Sequence, residues 1–144
     1  MTAIVVDTSA ILAIFDEAYA EHQAIGKVIE DPSALLVVSP MVVAEADYIL
    51  AARLGPRAAR RFASDVVTEA YDLAEWSSAD HAVALSVIER QGDDADYLGI
   101  ADASNVVLAD RHRTTTILTL DQRHFRRLRP LWGADHFTIL PYDS

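Results

Sequence analysis
Ala3-Ile4-Val5-Val6-Asp7-Thr8-Ser9-Ala10-Ile11-Leu12 is a β-branched apolar run that stops at a carboxylate and passes at once into a helical pattern. A short strand that is apolar on both faces reads as the buried centre of a parallel sheet. Thr8 or Ser9 can cap the helix behind it, and Ile11, Leu12 and Phe15 give that helix one apolar face.

Outward from this start, the same alternation continues. A helical stretch over 22–29 ends before Asp31-Pro32, and the LLVVS run at 35–39 is a second strand. Pro40 suits the first turn of a helix running from about Val42 to Arg53. Gly55-Pro56 breaks it, and 57–70 resumes as an amphipathic helix. A weaker strand signal covers 71–76, and Ser77 or Ser78 caps a helix that Gly92 closes. After a loop over 91–97, a helix begins near Asp102 or Ala103 and runs to Arg113, followed by the TTILTL strand at 115–120. A polar, Arg-rich turn or helix leads to a last strand over 137–140. Strands alternating with helices predict βαβ units: an α/β fold in three layers, α/β/α, around a central, mostly parallel sheet of about five strands. In such sheets, sites collect at the carboxyl ends of the strands.

Length and composition bound the rest. The 144 residues suit one domain spanning 1–144, since single cores take ~100–200 residues. Cysteine is absent, which removes disulfides, thiolate zinc sites, iron–sulfur clusters and cysteine nucleophiles. No apolar run reaches the ~20 residues of a membrane span, and the N-terminus lacks the positive start of a signal peptide. The expectation is a cytoplasmic protein without membrane contact. Net charge is −10, with eleven arginines and a single lysine, Lys27.

Four acids stand where chemistry is expected. Asp7 ends the first strand, Asp121 follows TTILTL, Glu45 lies about one turn into the helix after the second strand, and Asp102 opens a later helix. Any one alone reads as a cap or turn residue. Together, at one end of one sheet, they would repel each other unless a cation joined them. Hard divalent ions take oxygen ligands, so the set points to Mg²⁺ or Mn²⁺ acting on a phosphodiester. Asp47, Asp96 and Asp110 read as surface or supporting groups.

These residues resemble the PIN domain nucleases, and within them the VapC-type ribonuclease toxins of type II toxin–antitoxin pairs. The resemblance is carried by Val5-Val6-Asp7-Thr8-Ser9-Ala10-Ile11-Leu12, Ser39-Pro40-Met41-Val42-Val43-Ala44-Glu45, Gly99-Ile100-Ala101-Asp102-Ala103, and Thr119-Leu120-Asp121 with His124-Phe125. Each motif is weak alone; four in order and spacing are specific. The segment 53–91 carries none. The resemblance implies a metal-dependent endoribonuclease in which Asp7, Glu45, Asp102 and Asp121 hold Mg²⁺ or Mn²⁺ and carry the catalysis. Thr8, Ser9 and Thr119 match the small hydroxyl positions that orient the acids. It also implies an RNA substrate such as tRNA or rRNA, a homodimer, and a VapB-type antitoxin that neutralises growth inhibition.

Residues 111–129 hold Arg111, Arg113, Arg123, Arg126, Arg127 and Arg129 against one acid, Asp121. Arginine forks match phosphate bidentately, so Arg111, Arg113, Arg123, Arg126 and Arg127 are expected to bind RNA. A second set, Arg53, Arg57, Arg60 and Arg61, reads chiefly as a solvated face. His112 and His124 read as surface or packing residues rather than bases, and the tyrosines as too scattered for a stacking platform. An aspartate-dependent phosphatase is disfavoured because it needs a second acid where Ser9 stands and a lysine late in the chain. Single glycines at 26, 55, 92, 99 and 133 make no phosphate loop. A PIN-like scaffold that binds without cutting would be free to lose the acids, and all four are present.

Overall fold
The structure, a computed structural model, describes residues 1–143. In chain order the elements are β1 (Thr2–Val6), α1 (Thr8–Phe15), α2 (His22–Ile29), β2 (Ala34–Val38), α3 (Pro40–Arg53), α4 (Pro56–Val67), β3 (Asp72–Leu73), α5 (Ser78–Gln91), α6 (Ile100–Arg111), β4 (Thr116–Leu118), α7 (Gln122–Phe125) and β5 (Thr138–Leu140). The five strands form one sheet in the order β3-β2-β1-β4-β5, and every pairing is parallel. Among the described residues, no helix is long and apolar enough to cross a membrane.

The apolar runs make sense on both faces of this sheet. Ile4, Val6, Leu36, Val38 and Leu118 face one layer, where they meet Ile11, Ile25, Leu50 and Phe62 of α1 to α4. Val5, Val37, Ile117 and Ile139 face the other, against Ala84 and Val87 of α5, Val106 and Leu108 of α6, and Phe125. Successive strand residues point to opposite faces, so a strand covered on both sides must be apolar throughout. Each fully buried Val, Ile or Leu contributes about 1.5–3 kcal/mol.

Local signals set the element ends. Ser39 caps α3 by accepting from the Met41 amide, with Pro40 in the first turn. Ser77 and Asp80 make a reciprocal capping box on α5. Gly55, at φ +102°, takes the backbone between α3 and α4 through a region that side chains avoid.

Two expectations shift. The strand sought over 71–76 shrinks to Asp72–Leu73, an edge strand paired only with Val37 and Val38. The helix carrying Asp102 starts earlier, at Ile100, and ends at Arg111, where Arg113 turns left-handed (φ 49°) and the Thr114 amide bonds back to Ala109. Asp102 therefore lies inside the first turn of α6.

The topology places the site. From β1 the sheet grows one way to β2 and β3, and the other way to β4 and β5. The carboxyl ends of β1 and β4 are neighbours at this reversal, tied by the Asp7 amide donating to the Leu118 carbonyl at 2.9 Å. The loops leaving them diverge and open a crevice.

Candidate active site
A cleft of about 580 Å³ opens at that point, and its lining includes Asp7, Thr8, Ser9, Glu45, Asp102, Asp121 and His124. All four acids singled out in the sequence thus meet in one cleft. Asp7 holds the N-cap position of α1, yet its side chain makes no cap bond. Instead the carboxylate, 5% exposed, accepts from Thr119 Oγ1 at 2.7 Å and Ser9 Oγ at 3.3 Å on Oδ2, and from Asn105 Nδ2 at 3.0 Å on Oδ1. Glu45 stands exposed on the α3 side of the cleft.

Thr119 and Ser9 do more than touch Asp7. The Thr119 oxygen accepts from the Asp121 amide at 2.9 Å, and the Ser9 oxygen accepts from the Leu120 amide at 2.9 Å. The two hydroxyls lie 3.1 Å apart. They therefore pin the loop after β4 to the carboxylate that ends β1. Thr8 lines the cleft with its hydroxyl buried and without a hydrogen-bond partner.

Crowding shapes the electrostatics. Burial pushes the Asp7 carboxyl above its ordinary range; hydrogen bonds from Thr119 and the Thr8 backbone oppose this, and the charges of Asp121 and Glu45 add to it. Asp102 is pushed up to about 7, first by burial and then by the charge of Asp7, with His124 pulling the other way. Like charges held this close disfavour each other's ionisation.

The structure corrects the reading of His124 as a surface or packing residue. It lines the cleft, with Nδ1 2.8 Å from Asp121 Oδ2 and 3.7 Å from Asp102 Oδ2, and with Nε2 3.2 Å from Asp96 Oδ1. Both nitrogens can donate to carboxylates together only as imidazolium. Burial would lower its pKa, but the hydrogen bonds to Asp121 and Asp96 and the charges of Asp121 and Asp102 outweigh that and raise it. Asp102, Asp121 and His124 each bring a ligand atom within 4.8 Å of the others. The signal was available: His124 lies three residues after Asp121, one turn along a short helix.

Asn105 was also missed. It is fully buried on α6, three residues after Asp102, as a lone amide beside Val106, Val107 and Leu108. Tyr97, 79% exposed, stands on the cleft wall with Leu12, Met41, Ile49 and Ile100.

The arginines divide. Arg123 and Arg127 both pair with Asp96, the carboxylate that holds His124 Nε2, and so sit beside the cleft. Arg126 pairs with Asp143 at 2.8 Å. Arg111 and Arg113 lie at or beyond the carboxyl end of α6, nine and eleven residues past Asp102, or roughly 14–17 Å along a helix axis. Arg111 pairs with Asp80 and donates to the Glu75 carbonyl, while Arg113 pairs with Asp110. The expectation that the whole patch neighbours Asp121 therefore fails for these two, because α6 carries them to the opposite end of the sheet. Arg53, Arg57, Arg60 and Arg61 are exposed around the α3–α4 junction.

Comparison with known proteins places this geometry. The PIN domain family model matches residues 4–130. Ribonuclease VapC26 of Mycobacterium tuberculosis (strain ATCC 25618 / H37Rv) is 46% identical over 138 residues, covering 96% of this chain and 100% of that protein. Among solved structures, M. tuberculosis VapC20, described as a sarcin-ricin loop cleaving toxin, superposes with a TM-score of 0.70 at 20% identity, over 79% of this chain and 86% of its own. VapBC2 from Rickettsia felis, bound to a DNA fragment from its promoter, gives 0.66 at 12% identity, over 92% and 100%. A toxin–antitoxin complex from Klebsiella pneumoniae gives 0.61 at 14%, over 85% and 89%.

Proposed function
The chain belongs to the PIN domain family, and from that premise we propose that it is a VapC-type ribonuclease toxin: an Mg²⁺- or Mn²⁺-dependent endoribonuclease restrained by a VapB-type antitoxin. The observation that carries this is the meeting of Asp7, Glu45, Asp102 and Asp121 in one cleft at the β1–β4 reversal. Kinship with a ribonuclease over nearly the whole chain, and a shared fold with toxin–antitoxin proteins, support it.

The residues fit a divalent cation. The donors are hard carboxylate oxygens, which suit Mg²⁺ or Mn²⁺, with the protonated His124 beside them as a partner of Asp121 rather than a ligand. Burial first, and then the charges of the neighbouring acids, raise Asp7 and Asp102, and a cation between them would offset both. Asp7, Asp102 and Asp121 would hold it, with Glu45 completing the set from α3. When bound, such an ion supplies charge neutralisation at the phosphodiester and acidifies water for attack.

The chain's own groups do the rest. Thr119 and Ser9 orient Asp7, and Asp96 holds His124 against Asp121. Arg123 and Arg127 each have five donors, not all taken by Asp96, and offer the remainder to the phosphates of the entering RNA strand. A structured tRNA or rRNA is the substrate class, and the working form is a homodimer.

The test is cleavage of RNA by purified protein with Mg²⁺ or Mn²⁺, in chelator, and as Asp7→Asn. Cleavage is expected only in the first case, leaving 5′-phosphate and 3′-hydroxyl ends. Cutting that survives chelator or Asp7→Asn overturns the metal reading, and folded, metal-loaded protein that binds RNA without cutting it leaves a scaffold.

A further inference from the structure
The two oxygens of Asp7 are not equally occupied. Oδ2 faces two side-chain donors, the Thr119 hydroxyl at 2.7 Å and the Ser9 hydroxyl at 3.3 Å, whereas Oδ1 faces one, Asn105 Nδ2 at 3.0 Å. A carboxylate oxygen offers about two lone-pair sites. Oδ2 is therefore filled, and Oδ1 keeps one site open.

We propose that Asn105 is a positioning residue: Thr119 and Ser9 occupy Oδ2, and Asn105 fixes the carboxylate so that Asp7 meets a divalent cation through Oδ1 alone, which favours a small octahedral ion over a larger one. This rests on the cation reading above. Ca²⁺ takes six to eight oxygens and readily uses both oxygens of one carboxylate, whereas Mg²⁺ demands near-ideal octahedral geometry and keeps its waters. Mn²⁺ belongs with the carboxylate- and water-bound ions of octahedral habit. A carboxylate with one oxygen already saturated suits the second kind of ion.

The placement of Asn105 strengthens the assignment. It shares α6 with Asp102, three residues away, so the two side chains lie on one helix face. Bonding Asp7 to Asn105 thereby ties the end of β1 to the helix that carries Asp102. The amide orientation follows from the network, since the reversed amide would set its oxygen against Asp7 Oδ1, acceptor to acceptor. The Asn105 carbonyl oxygen is itself buried without a hydrogen-bond partner. A leucine of similar volume would remove that unpaired group from the core, so the amide persists against its own desolvation cost. The function of the donor explains why it is there.

The experiment is calorimetric titration of chelator-stripped protein with MnCl₂ and CaCl₂, without RNA, for wild type, Asn105→Leu and Asn105→Ala, with thermal unfolding alongside. Wild type is expected to bind Mn²⁺ at least tenfold more tightly than Ca²⁺. Asn105→Leu should lose about 10–100-fold in Mn²⁺ affinity, the usual effect of removing a group that orients a ligand. Its preference over Ca²⁺ should narrow, and its melting temperature is set by two opposed changes, the loss of a donor to the buried Asp7 and the removal of the unpaired Asn105 carbonyl. A role in packing alone would move the melting temperature and leave the ion ratio alone, and that outcome overturns the inference.

If both variants fail to fold, the wild-type competition still decides: Ca²⁺ binding as tightly as Mn²⁺ overturns it. The two readings also fail separately. Protein that shows this ion pattern but never cuts RNA sinks the ribonuclease and keeps the Asn105 assignment. Protein that cuts RNA while Asn105→Leu binds ions as wild type does the reverse.

Discussion
The Thr119 hydroxyl donates to Asp7 Oδ2 at 2.7 Å, joining the ends of two adjacent strands across 112 positions of sequence. The same oxygen accepts the Asp121 amide. One small side chain thus holds two of the four acids, and its removal should be felt by both. Thr119→Val keeps the shape and deletes the hydroxyl, leaving a buried carboxylate short of a donor and an amide without its acceptor. The expected cost is about 1–3 kcal/mol in urea denaturation, with Mn²⁺ affinity also reduced. Thr119→Ser should restore both. An unchanged unfolding midpoint in Thr119→Val would contradict this role.

Arg123 and Arg127 stand beside the cleft, whereas Arg111 is engaged at the far end of α6. Replacing Arg123 and Arg127 together by alanine should weaken RNA binding and flatten its salt dependence. The slope of log affinity against log salt should fall by about 0.7 for each lost phosphate contact on a single strand. Arg111→Ala should leave that slope as it is. Equal effects from the two ends of the patch would show that the RNA path is not the one drawn here.

Asp143 anchors the end of the described chain. It accepts two bonds from Arg126 and one from the Ile139 amide, each 2.8 Å. The Arg126 bonds chiefly, with the Ile139 amide, hold its carboxyl down to about 2. A carboxyl depressed in the folded state stabilises above its unfolded pKa, near ~3.9, and that contribution disappears as pH falls through about 2. Asp143→Asn should therefore melt below wild type at neutral pH, and the gap should close on acidification from about 4 toward 2. A gap that widens there would refute the assignment. Melting curves across this range make the measurement.

Phe62 is 1% exposed on α4, edge-on to Phe15 at 6.4 Å and to Tyr71 at 5.6 Å. Phe62→Ala should destabilise by about 3–5 kcal/mol through the lost contacts and the cavity left behind. Phe62 is not part of the cleft lining, so metal affinity of the folded variant should match wild type. Chemical denaturation and ion titration separate the two effects.

Much of the fold was legible because burial writes itself into composition. The runs at 3–6 and 35–38 are apolar at successive positions, as strands of a sheet covered on both faces must be. The edge was harder to see. Residues 71–76 carry Asp72 and Glu75, and the strand there is two residues long, at the sheet edge, and exposed. The four acids were readable from their positions at strand ends and helix starts. His124 carried only its spacing from Asp121, because a histidine beside arginines looks solvated until Asp96, 28 positions away, is seen to close around its far nitrogen.

Periodicity and the placement of carboxylates were enough to establish the alternating architecture, its parallel sheet and the end at which the four acids gather. Those properties depend on how each segment meets water or the core, and each segment carries that information itself. Tertiary structure alone decided that Asn105 faces Asp7, that His124 bridges Asp96 and Asp121, and that Arg123 and Arg127 flank the cleft while Arg111 and Arg113 do not. These are relations between side chains on different elements, many of them far apart in sequence. They depend on strand order and on the direction in which each helix leaves the sheet, which no local pattern records.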